Sequence, residues 1–453
     1  MPEGLEAALG PALLSPFTLR PVPARPTSIR HWILTATTLA AFLMYLDRAC
    51  LAWMLDSESF KGDIPLTKDQ ASLLKSAFFW AYALAQVPAG WLAERFGKRS
   101  LMTVLILLWS AFTALSGFAN GLTMLIVARI GCGLAEAGAY PISGSLLSRW
   151  AHLNWRGFCS GIVSLGGRLG FVLAPLITVK VILLTGSWRW AGWSYGVLGI
   201  LAAWFFWVTF RETPREHPRC DDQERDLLNE GRPPEATSSS RPPFPWRAIL
   251  TDSSLWMMCA YQMLTNFGWA FVINSMSSYL RDVRHLSESM NGYISTLTLF
   301  IGLFGLLLGG LTTDFLTRKF GLRLGRLLPL SVTRFVSAAM CIACLYVQSP
   351  WLLAVCLGLM VFSTDAGLPA VWAWAQDVGG RNVAPIFGWA NMWGNFGAAI
   401  QASLSGWVLT RFDTNGDQQE LFIACAIAFT LAGILSFGIN AARTVGGSTA
   451  NVE

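Results

Sequence analysis

Five charged residues inside apolar stretches of this 453-residue chain could do chemistry. Asp47 and Arg48 are adjacent in Tyr45-Leu46-Asp47-Arg48; Arg129 and Glu136 lie seven apart in Arg129-Ile130-Gly131-Cys132-Gly133-Leu134-Ala135-Glu136; Arg168 stands alone in a later run. Seven residues are about two helical turns, so Arg129 and Glu136 share a face, whereas Asp47 and Arg48 diverge by roughly 100° and suit two different partners. Two outcomes are open. The four can close into an ion-pair network that only locks two helices together. Alternatively, the carboxylates can take up protons and release the arginines to grip an incoming carboxylate with paired N–H groups. With both acids ionised the four are neutral and Arg168 leaves the set at +1; with both protonated it reaches +3.

The elements that must position these residues are apolar. Hydrophobic residues make up 53% of the chain, charged residues only 13%, and the mean hydropathy is +0.47. A soluble surface of this size needs roughly 25% charged residues, so an ordinary soluble enzyme is excluded, as are disordered and collagen-like chains. Apolar runs long enough to span a bilayer, about 20 residues each, cover roughly 32–53, 72–93, 100–119, 121–147, 157–183 and 190–210. A polar segment follows at 211–253 with seven arginines and a Pro/Ser-rich stretch, reading as a solvated linker. Runs resume at roughly 254–280, 291–316, 327–347, 351–376, 383–410 and 419–440. The expected architecture is an all-α membrane protein with twelve transmembrane helices in two pseudo-symmetric bundles, 32–210 and 254–441, flanked by tails 1–31 and 442–453. In such a setting a charge at mid-membrane costs about 2.5–3.5 kcal/mol, which makes each persisting one a functional candidate.

Basic residues collect on one side of the runs, in the tail, after the second, fourth and eighth runs and in the linker, so both termini are expected to be cytoplasmic. The net charge of +6 is scattered rather than clustered, and no nucleic-acid partner is expected. Nine cysteines fall nearly all in apolar runs as small hydrophobes; Cys341-x-x-Cys344 has no second pair for zinc, so neither a disulfide framework nor a metal site is implied. The four histidines fall in the tail or loops, the N-terminus lacks a cleavable signal pattern, and no cofactor is expected.

An internal repeat marks the two halves. After the second run the chain reads Gly90-Trp91-Leu92-Ala93-Glu94-Arg95-Phe96-Gly97-Lys98-Arg99, and after the eighth Gly310-Leu311-Thr312-Thr313-Asp314-Phe315-Leu316-Thr317-Arg318-Lys319. Each places small residues before an acid and then basic residues. Glycines allow close helix approach, and the acid can pair with a basic residue or a helix N-terminus in one conformation, forming a latch. On this reading Gly90, Glu94, Arg95, Gly97, Arg99, Asp314 and Arg318 are latch residues.

The pattern GxLAxRxGxR, with its weaker second copy, resembles the loop signature of the major facilitator superfamily, with Glu94 where that family usually has Asp. YxDR at Tyr45–Arg48, RxGxGxxEA from Arg129, Trp188-Arg189-Trp190, Thr213-Pro214 and His217-Pro218 together resemble the anion:cation symporter family, over about residues 32–441. That resemblance implies proton-coupling roles for Asp47 and Glu136 and substrate-carboxylate binding by Arg48. It also implies that Arg129 pairs with the carboxylates, and that Tyr45 and Tyr82 bond to substrate hydroxyls. The expected activity is import of an organic anion, a hexuronate or other sugar acid, by proton symport with alternating access, in a monomer of the bacterial inner membrane. Organophosphate antiport, or carriage of aromatic acids or dicarboxylates, remains open within the same fold.

Other candidates are less determined. Arg168 is either a mark of a more acidic substrate or an ion-pair partner of Glu136. Asn391 and Asn395, four apart and so on one face, either bind substrate or join helices. Trp372 and Trp374 either stack on a sugar ring or pack. The C-terminal half otherwise reads as apolar. An enzyme would need an exposed nucleophilic, histidine or metal-ligand constellation, and the sequence has none, so transport is expected rather than catalysis.

Overall fold

The computed structural model describes residues 26–230, 246–411 and 418–445; most of both expected tails and the Pro/Ser-rich part of the linker lie outside them. Every regular element among the described residues is helical. The N-terminal half comprises α1 (Ile29–Asp56), the short α2 (Glu58–Asp63), α3 (Lys68–Phe96), α4 (Lys98–Gly117), α5 (Leu122–Glu136), α6 (Ala139–Trp150), α7 (Arg156–Thr185) and α8 (Arg189–Thr209). Between the halves lie α9 (Asp222–Asn229) and α10 (Trp246–Thr251). The C-terminal half comprises α11 (Ser253–Asn274), α12 (Met276–Asp282), α13 (Glu288–Tyr346), α14 (Pro350–Val378), α15 (Val383–Arg411) and α16 (Gln419–Ser436). Helix covers most of each expected apolar run, and eight stretches among the described residues are long and apolar enough to cross a membrane.

Local chemistry sets the boundaries. Thr67 accepts the Gln70 N–H at 3.3 Å while the Gln70 side chain accepts the Thr67 N–H at 3.0 Å, a reciprocal cap on α3. Gly97, with φ 92°, turns α3 directly into α4, a backbone that a β-carbon would strain. Gly321, with φ 77°, does the same inside α13. There the chain doubles back: Arg326 Nη1 reaches Thr317 Oγ1 at 2.8 Å, where nine residues of straight helix would separate them by roughly 13 Å. One apolar stretch of α13, Met290–Tyr346, therefore covers two expected runs. Helical bonding lapses between α5 and α6, just after Glu136, because Pro141 has no N–H for the Ala137 carbonyl.

The halves meet along α3 with α15 and α7 with α13. Within the N-terminal half α1 lies on α7 at Gly166 and Gly170, where a β-carbon would collide with the Thr38 and Phe42 carbonyls. Large apolar side chains such as Leu176, Leu183, Ile200 and Trp204 point outward, which suits lipid rather than water. Charged groups including Asp47, Arg129, Glu136, Asp314, Arg326, Arg334 and Asp365 are buried instead.

The solvated linker needs correction where it is described. Glu224 of α9 is fully buried and accepts hydrogen bonds from Thr27 Oγ1 (2.6 Å), the N–H groups of Ile29 (3.1 Å) and Arg30 (3.0 Å), and the Arg30 guanidinium (3.1 Å). Its carboxylate caps the amino end of α1, whose first N–H groups have no partner within the helix. His31 accordingly sits in the first turn of α1 rather than in a tail.

Candidate functional site

Asp47 and Arg48 leave α1 in different directions, as their adjacency requires. Arg48 reaches α5, donating from Nε (3.1 Å) and Nη2 (3.0 Å) to the same oxygen, Oε2, of the fully buried Glu136. The Arg48 guanidinium lies over the rings of Tyr45 (4.8 Å), Phe78 (5.0 Å) and Tyr82 (4.5 Å), a box that keeps the cation oriented. Arg129 shares the Phe78 ring at 4.7 Å and donates to the Arg48 carbonyl at 3.5 Å. It makes no salt bridge among the described residues, so its expected pairing with a carboxylate is absent in this conformation. Asp47 is 3% exposed, and its Oδ2, Glu136 Oε1 and Arg129 Nε have no hydrogen-bond partner among the described residues. Buried polar atoms without partners are costly, so these three mark places where a proton or ligand atom would be welcome.

Arg168 does not meet Glu136. It donates from Nη2 to Asp365 Oδ1 of α14 at 2.7 Å, joining the two halves, and lies 4.1 Å over the Trp269 ring. The reason is positional: Arg48 already occupies Glu136, while α7 turns Arg168 toward the other half. The sequence reading missed Asp365. It also missed Arg334, a fully buried cation whose Nη2 donates to the carbonyls of Ser363 (3.1 Å) and Thr364 (2.6 Å) and so pins the stretch of α14 that carries Asp365. The C-terminal half is therefore not merely apolar. Single charges in the runs at 327–347 and 351–376 were the available signal.

Asn391 joins the halves too, donating to Gln86 Oε1 at 2.7 Å, and Asn395 donates to the Asn391 carbonyl at 2.8 Å. Trp372 and Trp374 are fully buried, and Trp372 packs edge-on against Tyr140 (4.8 Å) and Phe387 (4.9 Å). In this conformation Asn391 and Trp372 join helices, Asn395 bonds back within its own helix, and Trp374 is buried.

Comparison with known proteins fixes the family. The profile of the Major Facilitator Superfamily matches residues 37–402. The chain belongs to that superfamily. It is 26% identical to a probable sulfoacetate transporter of Cupriavidus necator over 92% of this chain and 95% of that one. It is 27% identical to a probable galactarate/D-glucarate transporter of Bacillus subtilis over 91% and 93%. With a D-galactonate transporter of Escherichia coli O6:H1 the identity is 25% over 91% and 96%. The crystal structure of the human organic anion transporter MFSD10 superposes with a TM-score of 0.68 at 14% identity, covering 90% of this chain and all of that one, which shows the shared fold. The protein is thus a multi-pass membrane transporter, and the family's work is transport rather than catalysis.

The two copies of the superfamily loop pattern are not equivalent. Asp314 accepts the backbone N–H groups of Gly157 (2.9 Å) and Phe158 (2.7 Å) at the amino end of α7, across the halves. Glu94 stays local, accepting from Ser145 Oγ (2.9 Å) and Lys98 Nζ (2.9 Å). Gly90 instead brings α3 onto α15, where its β-carbon would lie 2.7 Å from the Ala384 carbonyl. Arg99 donates to the Trp207 carbonyl and lies 3.8 Å over that ring, Arg95 lies over Trp91 (5.3 Å), and Arg318 over Trp155 (5.6 Å). A further bridge at the same end was also missed: Asp377 accepts from Arg156 at 2.6 Å and from Arg326 at 2.8 Å.

Proposed function

We propose that this protein imports an organic anion, a hexuronate or another sugar acid, together with protons, by alternating access of two six-helix bundles in the bacterial inner membrane with both termini cytoplasmic. The observation that carries the reading is the buried pair of Arg48 and Glu136, with Asp47 Oδ2 and Glu136 Oε1 unpartnered beside it. A proton on Glu136 removes the charge that holds Arg48. The guanidinium, still boxed by Tyr45, Phe78 and Tyr82, is then free to take a substrate carboxylate. Arg129 and Asp47 supply a second cation and a second proton site. On this reading Tyr45 and Tyr82 hydrogen-bond substrate hydroxyls.

The contacts of Asp314 with the amino end of α7 and of Arg156 with Asp377 join the halves at the end that carries the basic loops, and Arg326 braces Asp377 from its own half. On this reading, with that end cytoplasmic, the conformation is closed on the inner side. Names of relatives support the anion class: sugar-acid carriers recur among them. Purified protein in liposomes with an alkaline interior should accumulate at least one sugar acid, and an ionophore that collapses the gradient should abolish that accumulation. Failure to accumulate any organic anion, or phosphate exchange without proton movement, would refute the reading.

A further inference from the structure

Two central arginines are held by carboxylates of this chain in different ways. Arg48 and Glu136 belong to one half, whereas Arg168 and Asp365 lie 197 positions apart and join the halves. Asp365 is almost wholly buried, while the Arg168 side chain keeps 17% of its surface accessible. Arg168 donates a single hydrogen bond among the described residues, from Nη2, although a guanidinium offers five donors. The contact is end-on, and the rest of the planar head rests on Trp269 at 4.1 Å.

Both arginines stand on one wall. A β-carbon on Gly167, next to Arg168, would lie 2.9 Å from the Tyr45 ring and 2.7 Å from the Tyr140 hydroxyl, and Tyr45 is the ring 4.8 Å from the Arg48 guanidinium. Counting Asp365 changes the electrostatics. Asp47, Glu136 and Asp365 against Arg48, Arg129 and Arg168 make a neutral set when all are ionised. A ligand with one carboxylate can replace Glu136 on Arg48 and leaves the bridge between the halves untouched. A ligand with two acidic groups can replace both protein carboxylates.

We infer that Arg168 receives a second acidic group, so the substrate is a dianion carrying an acid at each end of a short chain, and that Asp365 holds its place on Arg168 in the empty protein. This rests on the proposed transport of an organic anion. When the ligand's second acid takes Arg168, buried Asp365 loses its partner and takes a proton from the compartment that supplied the substrate. With Glu136 and Asp365 both protonated, the set carries two positive charges, which the dianion neutralises. Seating of the matching ligand breaks the bridge between the halves.

The experiment compares a six-carbon aldarate with the six-carbon aldonate, which share a carbon chain and differ by one carboxylate, by thermal shift and counterflow on the full chain. Wild type should bind the aldarate about tenfold or more tightly, the scale of one charge-assisted hydrogen bond. Arg168→Gln should weaken aldarate binding at least tenfold more than it weakens aldonate binding, and Arg168→Lys should restore part of the difference. Should Arg168→Gln fail to fold, Asp365→Asn gives the reading instead: release of Arg168 should strengthen aldarate binding but not aldonate binding. Aldonate preference in wild type, equal loss of both ligands in Arg168→Gln, or unchanged aldarate binding in Asp365→Asn would overturn the inference while leaving anion transport intact. Folded wild type that binds neither acid nor any other organic anion would overturn both.

Discussion

Asp314 holds the amino end of α7 through Gly157: one carboxylate oxygen accepts the Gly157 N–H at 2.9 Å and the other accepts that of Phe158 at 2.7 Å. Those N–H groups open a helix and have no partner within it, and the helix dipole favours an anion there. The acid comes from the C-terminal half and the helix from the N-terminal half, so on the proposed alternating-access reading the contact breaks when this end opens. Glu94, its counterpart in the repeat, reaches Ser145 and Lys98 of its own half. The pseudo-symmetry of the sequence thus hides a structural asymmetry.

Asp314→Asn should loosen that end. An amide keeps one acceptor but turns an NH2 toward a backbone N–H and removes the charge, and hydrogen bonds to charged groups are worth about 1.5–3 kcal/mol each. Amide exchange at residues 157–160 should accelerate in Asp314→Asn and stay at the wild-type rate in Glu94→Gln. Equal acceleration in both variants would show that the two acids share the task.

Glu136 and Arg48 should behave as a unit. Removing one member of a buried pair strands the other at a cost of about 3–5 kcal/mol, whereas removing both leaves no lone charge. Arg48→Gln with Glu136→Gln should therefore lower the thermal midpoint by less than the sum of the single changes. Glu136→Gln and Asp47→Asn should each lose gradient-driven uptake while retaining exchange. Additive destabilisation, or normal gradient-driven uptake by both single variants, would count against the coupling role.

The charges of the N-terminal half are legible in the sequence because Asp47, Arg48, Arg129 and Glu136 each interrupt an apolar run where burial makes a charge stand out. Helix positions are legible for the same reason, since run length and turn residues such as Gly97 are local. Partner choice is not local. Nothing in the spacing ties Arg168 to Asp365 across 197 positions or Arg156 to Asp377 across 221. Asp365 is further masked by Ser363, Thr364 and Gly367, small neighbours that blunt its effect on the run. Glu224 lies in a segment whose polarity suggests solvation, and its partners, Thr27 to Arg30, arrive from nearly 200 residues away.

Asp221, at the junction of the linker with the amino end of α1, gives a pH dependence outside the membrane. The Glu224 N–H donates to its carboxylate at 2.7 Å, and Thr27 donates from its N–H and its hydroxyl at 3.1 Å each. These bonds, the Glu224 N–H first and those of Thr27 next, hold the Asp221 carboxyl below its ordinary value. A lowered acid stabilises the folded junction above its unfolded pKa of about 3.9 and loses that contribution as the pH falls through the lower folded value. Protection of the Thr27 amide should be level from neutral pH to about 4 and fall below it, and Asp221→Asn should start lower and show no such step. A step of equal size in Asp221→Asn would assign it to another acid.

Gly133 offers a test of how tightly packing sets the charges. A β-carbon there would lie 2.5 Å from the Phe78 carbonyl and 3.1 Å from the Tyr82 N, so Gly133→Ala must push α3 away from α5. Phe78 supplies the ring shared by Arg48 at 5.0 Å and Arg129 at 4.7 Å, and Tyr82 supplies another face of the Arg48 box. Overpacking of this kind costs about 1–3 kcal/mol, so the variant should still fold. Its substrate affinity should nevertheless fall about tenfold, because both guanidinium groups lose the surface that orients them. Gly292→Ala, at an open position with nothing within 4 Å, should match wild type in both respects. Normal affinity in Gly133→Ala would mean that the arginines are oriented by Glu136 alone and that the aromatic box is only packing.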